Sequence, residues 1–245
     1  MMWSIQQPIT LEETVQPSQK RLFPGVLIMA LSSLIGLACD RPAHAAGDLP
    51  KPAVELPAPK DKTEQTFIVA GGCFWCTEAS FEILNGVKDV VSGYSGGAKE
   101  TANYQAVCGG DTGHAEAIRI TYDPAKISYS QLLRVFFTAH DPTTLNRQGA
   151  DRGTQYRSAI FYQSEDEKKV AEAYIKQLNE AKAFDKPVVT TVEKFKAFYP
   201  AEDYHQNYAK NHPNEGYIVG VALPHVKKVM DHFKDELKKS DEEKK

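Results

Sequence analysis

The feature that most constrains this chain is the string GGCFWC at residues 71–76, which lies between a strand pattern and a helix pattern. Residues 66–70 form a short apolar run that is typical of a buried strand. From 73 to 84 apolar residues recur with helical spacing, and Asn-Gly at 85–86 ends the pattern. Because a glycine pair lets the backbone turn tightly, the sequence predicts a strand–turn–helix unit with Cys73 at the helix N-terminus.

A cysteine in this position is expected to be reactive. The partial positive charge at a helix N-terminus favours thiolate over thiol, which predicts a lowered pKa for Cys73 and a nucleophilic sulfur. Free cysteines are often small buried apolar residues instead, but the glycine turn favours the reactive alternative. Phe74 and Trp75 follow directly and are expected to form an apolar wall beside the thiol.

The four cysteines narrow the chemistry further. Cys39, Cys73, Cys76 and Cys108 are too few for a disulfide scaffold. Structural zinc sites use four Cys or His ligands in paired spacing, and only one C-x-x-C is present here, so we expect no metal. The same C-x-x-C alone is also compatible with a thiol–disulfide oxidoreductase, which needs little chemistry beyond its two cysteines.

Two further stretches carry candidate functional groups, NYQAVCGGDTGHAE at 103–116 and DRGTQYRS at 151–158. Glu116 opens a predicted strand, and a carboxyl near an apolar pocket has a raised pKa and can act as a proton donor. Taken alone, a solvated glutamate at a strand end is the simpler interpretation. Asp151 and Tyr156 stand just before another predicted strand, where a tyrosine is more often a packing residue.

Strands and helices alternate irregularly along the rest of the domain. Strands are predicted at 66–70, 87–93, 116–122, 158–162 and 187–193, and helices at 73–84, 130–140 and 164–183. This order suits helices layered on a sheet. We therefore predict an α+β fold, in which a mixed β-sheet with flanking helices forms a two-layer, ferredoxin-like plait sandwich.

The N-terminus has the pattern of a targeting segment. Lys20 and Arg21 precede an apolar run at 22–38, and Ala-His-Ala follows at 43–45. This order is typical of a secretory signal, so residues 1–45 are predicted to be a signal peptide and the mature chain to be periplasmic or secreted. The alternative is a lipoprotein signal, in which a lipidated Cys39 would anchor the protein to a membrane.

The composition of the remaining chain indicates a linker, a domain and a tail. Residues 46–65 are rich in proline and charge, which predicts a mostly disordered linker. The catalytic domain is predicted at 66–232 and a charged tail at 233–245. The net charge of −3 and the absence of a basic block argue against nucleic acid. We expect a monomer whose only membrane contact is the signal or a lipid anchor.

Taken together, five strings resemble the A-type peptide methionine sulfoxide reductases, and the resemblance runs from about Phe67 to about His232. The strings are GGCFWCTE, GYSGG, NYQAVCGGDTGHAE, HDPTTLNRQGADRGTQYRS and EDYHQNY. The resemblance implies that Cys73 is the nucleophile and that Phe74 and Trp75 hold the substrate S-methyl group. It implies that Glu116 hydrogen-bonds the sulfoxide oxygen and supplies a proton. The remaining implied site residues are two phenols that help hold the oxygen and a supporting carboxylate, namely Tyr104, Tyr156 and Asp151.

The implied activity is reduction of methionine S-sulfoxide, free or in proteins, with no metal or organic cofactor. Cys73 would become a sulfenic acid and then a disulfide, which a thioredoxin-like reductant would reduce. Many relatives resolve the sulfenic acid with cysteines near the C-terminus, but this chain has none after Cys108. Cys76 is therefore the expected resolving cysteine, and Cys108 is its competitor.

Overall fold

The structure is a computed structural model that describes residues 48–57 and 64–239. No helix within these two ranges is both long and apolar enough to cross a bilayer. The strands are β1 Gln65–Gly71, β2 Val87–Ser95, β3 Ala115–Tyr122, β4 Arg147–Gln148, β5 Asp151–Arg152, β6 Ser158–Tyr162, β7 Thr191–Lys194 and β8 Phe198–Pro200. The α-helices are α1 Phe74–Glu82, α2 Tyr104–Cys108, α3 Tyr129–Ala139, α4 Glu165–Glu180, α5 Tyr208–Asn211 and α6 Leu223–His232.

Six strands form one sheet in the order β7-β6-β1-β3-β2-β8. Its four central strands are antiparallel, and they are joined as β1-α1-β2-β3-α3-β6. This connectivity and strand order are those of a ferredoxin-like plait. The edge strand β7 pairs in parallel with β6, which makes the sheet mixed. The predicted α+β fold with a mixed sheet and flanking helices is confirmed.

The alternation of side chains along β1 shows how the sheet is covered on both faces. Phe67 and Val69 point into the main core with the helices, whereas Ile68 and Ala70 pack on the opposite face. Because both faces of the sheet are buried, the sequence of β1 is continuously apolar and does not alternate between apolar and polar residues. The central position of β1 fixes the turn that follows it at residues 71–73.

The later part of the chain departs from the predicted elements. The strand predicted at 187–193 forms only at Thr191–Lys194, and α6 was not predicted. α6 follows a π-helical turn at Ile218–Ala222 and carries Pro224 in its first turn. Residues 216–232 are helical without interruption, so this proline lies where π-helical geometry changes to α-helical geometry.

For residues 48–57 the prediction of a disordered linker is wrong. Leu49 is only 4% exposed and belongs to the main core. The carbonyl of Leu49 accepts a hydrogen bond from Arg134 on α3, and the carbonyl of Pro50 accepts one from the Tyr174 hydroxyl on α4. One apolar anchor and several backbone hydrogen bonds therefore hold a segment whose proline-rich composition predicted disorder. We call residues 48–57 the N-terminal strap.

The predicted start of the charged tail at residue 233 is also wrong. Phe233 is 2% exposed and lies in the main core. Leu237 forms a β-bridge with Leu84, and the Lys238 N–H donates to the carbonyl of Ile83. The packed domain therefore continues to residue 238, because two apolar side chains anchor a segment that is otherwise charged.

Candidate active site

The turn between β1 and α1 brings Cys73 to the N-cap of the helix. The Cys73 carbonyl accepts from the N–H groups of Cys76 and Thr77, at 3.2 and 3.3 Å. Gly72 has φ of +94°, and a Cβ built there would lie 2.5 Å from Cβ of Gln148. Glycine is therefore required at this position, both for the backbone conformation and for the close approach of the loop that contains Gln148.

The electrostatic environment of Cys73 differs from the sequence prediction. The side chain is buried, at 7% exposure. A hydrogen bond with the Cys76 thiol and burial both raise its pKa well above the ordinary value, and the Trp75 N–H and Tyr217 hydroxyl oppose them only in part. The predicted lowering of the Cys73 pKa by the helix end is wrong, because removal from water and a neighbouring thiol outweigh the helix N–H groups. Cys73 therefore holds its proton at neutral pH.

Glu116 lies beside this turn on β3. Its Oε2 accepts a hydrogen bond from the Phe74 N–H at 3.0 Å, and the side chain is 2% exposed. Burial is the main cause that raises the pKa of the Glu116 carboxyl well above its ordinary value. Negative charge on Cys73 or Asp151 raises it further, and the hydrogen bond from the Phe74 N–H opposes the increase in part. The raised pKa predicted from sequence is confirmed, so Glu116 holds a proton where an ordinary glutamate would be ionised.

An aromatic cluster flanks Cys73 on α1. Phe74 is buried, whereas Trp75 is half-buried and stacks on the ring of Tyr208, with centroids 3.9 Å apart. The Trp75 indole N–H donates to Nδ1 of His205 at 3.2 Å. Phe74 lies 5.0 Å from the same imidazole, measured between ring centroids. The apolar wall predicted beside the thiol is therefore present, and it includes rings from α5 and from the segment before it.

The other predicted site residues lie around the same centre. Tyr104, on α2, interacts electrostatically with Glu116 and Cys73. Tyr156 interacts with both of these groups and with Asp151. Burial raises the pKa values of both phenols above their ordinary value, so both keep their protons and can donate hydrogen bonds. The structure thus brings together side chains that lie in three separate strings of the sequence.

Tyr217 was not identified from the sequence, although it joins two parts of the site. Its hydroxyl donates to Oδ2 of Asp151 at 2.6 Å. The Cys76 thiol lies 4.0 Å from the Tyr217 oxygen and can donate to it. Burial raises the Tyr217 pKa, and the neighbouring Cys73 and Cys76 sulfurs raise it further. Gly-Tyr at 216–217 lies outside every string that carried the resemblance, and no local pattern marks this tyrosine.

The two candidate resolving cysteines lie in different surroundings. Cys76 is buried one helical turn from Cys73, and its thiol is the largest cause of the raised Cys73 pKa. Cys108 is exposed at the end of α2, and its sulfur interacts with the Tyr104 hydroxyl. In the part of the chain that the structure describes, no group of three or more His, Cys, Asp or Glu side chains is arranged to hold a metal ion.

Glu202 and His205 also contribute to the site and were quoted in the EDYHQNY string without a role. Oε2 of Glu202 accepts from the Tyr94 hydroxyl at 2.8 Å, and its Oε1 accepts from the Tyr104 N–H at 3.0 Å. The carboxylate therefore fixes the start of α2. Four aromatic or acidic residues within seven positions were the available sequence signal for this contribution.

The family model described as peptide methionine sulfoxide reductase matches residues 65–237. A protein of Deinococcus radiodurans named peptide methionine sulfoxide reductase MsrA is 52% identical over 175 residues, which cover 71% of this chain and 85% of that protein. The MsrA 2 protein of Synechocystis is 50% identical over 193 residues, covering 78% and 90%.

Solved structures agree with this assignment. The reduced form of Mxr1 from Saccharomyces cerevisiae superposes with a TM-score of 0.57 at 37% identity, and covers 62% of this chain and 87% of its own. Methionine sulfoxide reductase A of Corynebacterium diphtheriae gives 0.55 at 28% identity, covering 72% and 91%. The chain belongs to the A-type peptide methionine sulfoxide reductase family, and it is an oxidoreductase of that family.

Proposed function

We propose that the protein reduces methionine S-sulfoxide, free or within proteins, through attack of Cys73 on the sulfoxide sulfur. The observation that carries this proposal is the hydrogen bond from the Phe74 N–H to Glu116, which holds a protonated acid beside the nucleophile. Disulfide exchange by Cys73 and Cys76 alone needs no such acid. Reduction of a sulfoxide needs an acid, because the sulfoxide sulfur becomes electrophilic only when its oxygen is hydrogen-bonded or protonated.

Substrate binding follows from the two halves of the site. The S-methyl group packs against Phe74 and Trp75, the aromatic side chains next to the nucleophile. The sulfoxide oxygen faces the polar half, where it accepts hydrogen bonds from Glu116 and from the phenols of Tyr104 and Tyr156. Neutral donors suit this oxygen, since a carboxylate or phenolate would repel it.

The reduction needs no proton from solvent, because Glu116 supplies one and Cys73 returns one. The Glu116 carboxyl protonates the sulfoxide oxygen as the Cys73 sulfur bonds to the substrate sulfur, and the Cys73 proton restores the Glu116 acid. The oxygen then passes to Cys73, the bond between the two sulfurs breaks, and methionine leaves. Cys73 is oxidised to sulfenic acid while the substrate sulfur is reduced. Because the Cys73 pKa is raised, the thiol loses its proton during this step and not before it.

Cys76 then resolves the sulfenic acid by forming a disulfide with Cys73 and releasing water. The interaction between the two thiols supports this choice, because a thiol already beside the sulfenic acid reacts at high effective concentration. Cys108 is the alternative, since it adjoins Tyr104 at the edge of the site. A thioredoxin-like dithiol then reduces the disulfide and returns both thiols.

We also propose that the enzyme is exported and that the mature chain begins near Ala46. The basic, apolar and small-x-small order of residues 20–45 supports this proposal. Cleavage after Ala45 would leave the N-terminal strap intact. Mass spectrometry of the native protein tests it, because a mature N-terminus near Ala46 in an exported fraction supports export. An intact Met1 peptide in the cytoplasmic fraction would contradict it, and a lipidated Cys39 would instead identify a lipoprotein.

An epimer-resolved assay tests the function itself. The purified protein is incubated with dithiothreitol and with the S and R epimers of methionine sulfoxide separately. We expect methionine from the S epimer only. Equal turnover of both epimers, or none of either by a folded protein that catalyses disulfide exchange, would overturn the proposal.

A further inference from the structure

Gln155 is a buried side chain that the proposed reaction does not use. It is 5% exposed and lies in the short helical turn Thr154–Tyr156, directly before Tyr156. Its Nε2 donates to the carbonyl of Cys108 at 3.2 Å, and Cys108 is the last residue of α2. Since α2 begins at Tyr104, one amide connects the two elements that carry the phenols of the candidate site.

The helix α2 depends on contacts of this kind because it is very short. Helices of fewer than about 12 residues are marginal in water on their own, and α2 has 5 residues. At its start, Glu202 accepts from the Tyr104 N–H. At its end, Gln155 donates to one of the carbonyls that a helix terminus leaves unpaired. The position of the Tyr104 phenol is therefore set by side chains that bind both ends of the helix.

Two neighbours of Gln155 extend this contact. The Thr154 hydroxyl donates to the carbonyl of Gly110, and Nη2 of Arg157 donates to the carbonyl of Gly113 at 3.2 Å. Three side chains within residues 154–157 therefore bind three carbonyls within residues 108–113. We call these three hydrogen bonds the loop clamp.

The packing around the Gln155 amide fixes its orientation. A Cβ built on Gly153, where φ is +137°, would lie 2.1 Å from Oε1 of Gln155. A carbonyl can only accept, so Nε2 is the amide atom that faces Cys108. Oε1 is buried, and no residue in the described part of the chain donates a hydrogen bond to it. Because an unpaired buried oxygen destabilises a fold, stability alone is a poor explanation for an amide at this position.

We propose that Gln155 is a positioning residue that sets the spacing between the Tyr104 and Tyr156 phenols. This role rests on the proposed function, in which both phenols donate to the sulfoxide oxygen. Donors that are held in place before the reaction stabilise the charge that develops on this oxygen, with no cost of reorganisation. Gln155 acts on the reaction only through the two phenols.

The expected kinetic effect is on the chemical step. A hydrogen bond to an oxygen that gains charge is strongest in the transition state, so its loss lowers the rate more than the affinity. Gln155→Met keeps the length of the side chain but removes the donor. We expect it to slow single-turnover methionine formation at saturating methionine S-sulfoxide about tenfold, and to change the half-saturating concentration less than about twofold.

Two further variants control this comparison. Nε2 of Gln177 on α4 donates to the carbonyl of Lys51 in the N-terminal strap at 2.9 Å, which is the same kind of bond at another place. Gln177→Met should lower stability in urea but keep the wild-type single-turnover rate. Thr154→Val removes another donor of the loop clamp and keeps the shape of the side chain. It should slow methionine formation as Gln155→Met does, and it decides the question if Gln155→Met does not fold.

Removal of the phenols tests whether the effect passes through them. In a background with Tyr104→Phe and Tyr156→Phe, Gln155→Met should slow methionine formation less than about twofold, because no phenol remains to be displaced. A decrease of about tenfold in this background would overturn the positioning role, since the amide would then act by another route. A folded Gln155→Met or Thr154→Val variant with the wild-type rate would overturn it as well.

Hydrogen exchange separates this role from the proposed function. Mass spectrometry should show faster amide exchange at residues 104–113 in Gln155→Met and Thr154→Val, but not in Gln177→Met. If exchange responds in this way but the wild type reduces no sulfoxide, the proposed function fails and the placement of α2 by the loop clamp stands. Unchanged exchange at residues 104–113 in the folded variants would show that the loop clamp does not hold α2, and would overturn the positioning role.

Discussion

Oε2 of Glu116 accepts a hydrogen bond from the backbone N–H of Phe74 at 3.0 Å, so the carboxyl group on β3 is tied to the residue that follows Cys73. The contact links two central elements of the fold, because β1 leads into Cys73 and pairs with β3. It also satisfies one of the unpaired N–H groups at the start of α1. The position of the acid relative to Cys73 is therefore set by the sheet rather than by a flexible loop.

This contact predicts a strong and specific effect of Glu116→Gln. An amide keeps the hydrogen bond to Phe74 but cannot transfer a proton, so single-turnover methionine formation should slow by about a hundredfold or more. Since burial raises the Glu116 pKa well above its ordinary value, the wild-type rate should fall as pH rises through that pKa. Rapid quenching over a range of pH measures both effects.

The diagnostic result is that the single-turnover rate of Glu116→Gln no longer falls as pH rises. Glu180→Gln, at the end of α4, is the control and should retain wild-type behaviour. An unchanged single-turnover rate in Glu116→Gln would remove Glu116 from the proton-transfer step.

Cys76→Ser should separate sulfoxide reduction from resolution of the sulfenic acid. The first methionine should form at a rate close to that of the wild type, because Cys73 is intact, but a sulfenic acid should then accumulate. In the wild-type enzyme, one equivalent of substrate should consume two thiols and give a Cys73–Cys76 linkage in the peptide map.

Cys108→Ser is the matched comparison, and it should form the disulfide as fast as the wild type. The reverse pattern, in which Cys76→Ser forms a disulfide and Cys108→Ser does not, would identify Cys108 as the resolving cysteine.

Glu78 should make the fold less stable as pH rises. Its side chain is 1% exposed, and burial is the main cause that raises its pKa from 4.5 to about 7. The folded state therefore holds a proton that the unfolded state loses above pH 4.5, so stability should fall by about 3 kcal/mol as pH rises from about 4.5 to about 7. Urea unfolding at several pH values measures this slope.

Glu78→Gln should flatten that slope, because the amide stays neutral at every pH. Glu172→Gln, at a position exposed on α4, should leave it unchanged. A Glu78→Gln variant with the full wild-type slope would show that other groups cause the pH dependence.

Leu49→Ala should destabilise the domain without slowing methionine formation. Leu49 anchors the N-terminal strap in the main core, and the strap hydrogen-bonds to α3 and α4. Removing a buried leucine side chain costs about 2–5 kcal/mol. Val54→Ala is the control, since that side chain in the same segment is 45% exposed. Equal stability of the two variants in urea would mean that the strap does not hold the domain.

Local patterns predicted the central fold well. The strand–turn–helix unit around Cys73 and the strand at 158–162 follow from short apolar runs next to glycine or turn residues. The packing of the N-terminal strap and of the segment at 233–238 was not predicted from local patterns. Both segments have a composition typical of disorder, but each is held in the core by a buried side chain, Leu49 in the strap and Phe233 in the later segment. Such long-range contacts leave no periodic signal in the sequence.

The residues of the candidate site that lie within recognisable strings were identified from the sequence. The Cys73 pKa was predicted in the wrong direction, because the helix terminus is visible in a sequence but burial and the Cys76 contact are not. Tyr217 was missed since its link to Asp151 spans 66 positions. His205 lay in a quoted string, but its hydrogen bond with Trp75 spans 130 positions and was not visible in the sequence.

The most direct test of the central claim is single-turnover reduction of methionine S-sulfoxide by Cys73→Ser, compared with the wild type under the same conditions. The substitution keeps the size of the side chain and the helix start, so circular dichroism should show a folded protein. Our account predicts one methionine per wild-type chain and none from Cys73→Ser. Methionine formation by folded Cys73→Ser at more than a few per cent of the wild-type rate would show that another group attacks the sulfoxide.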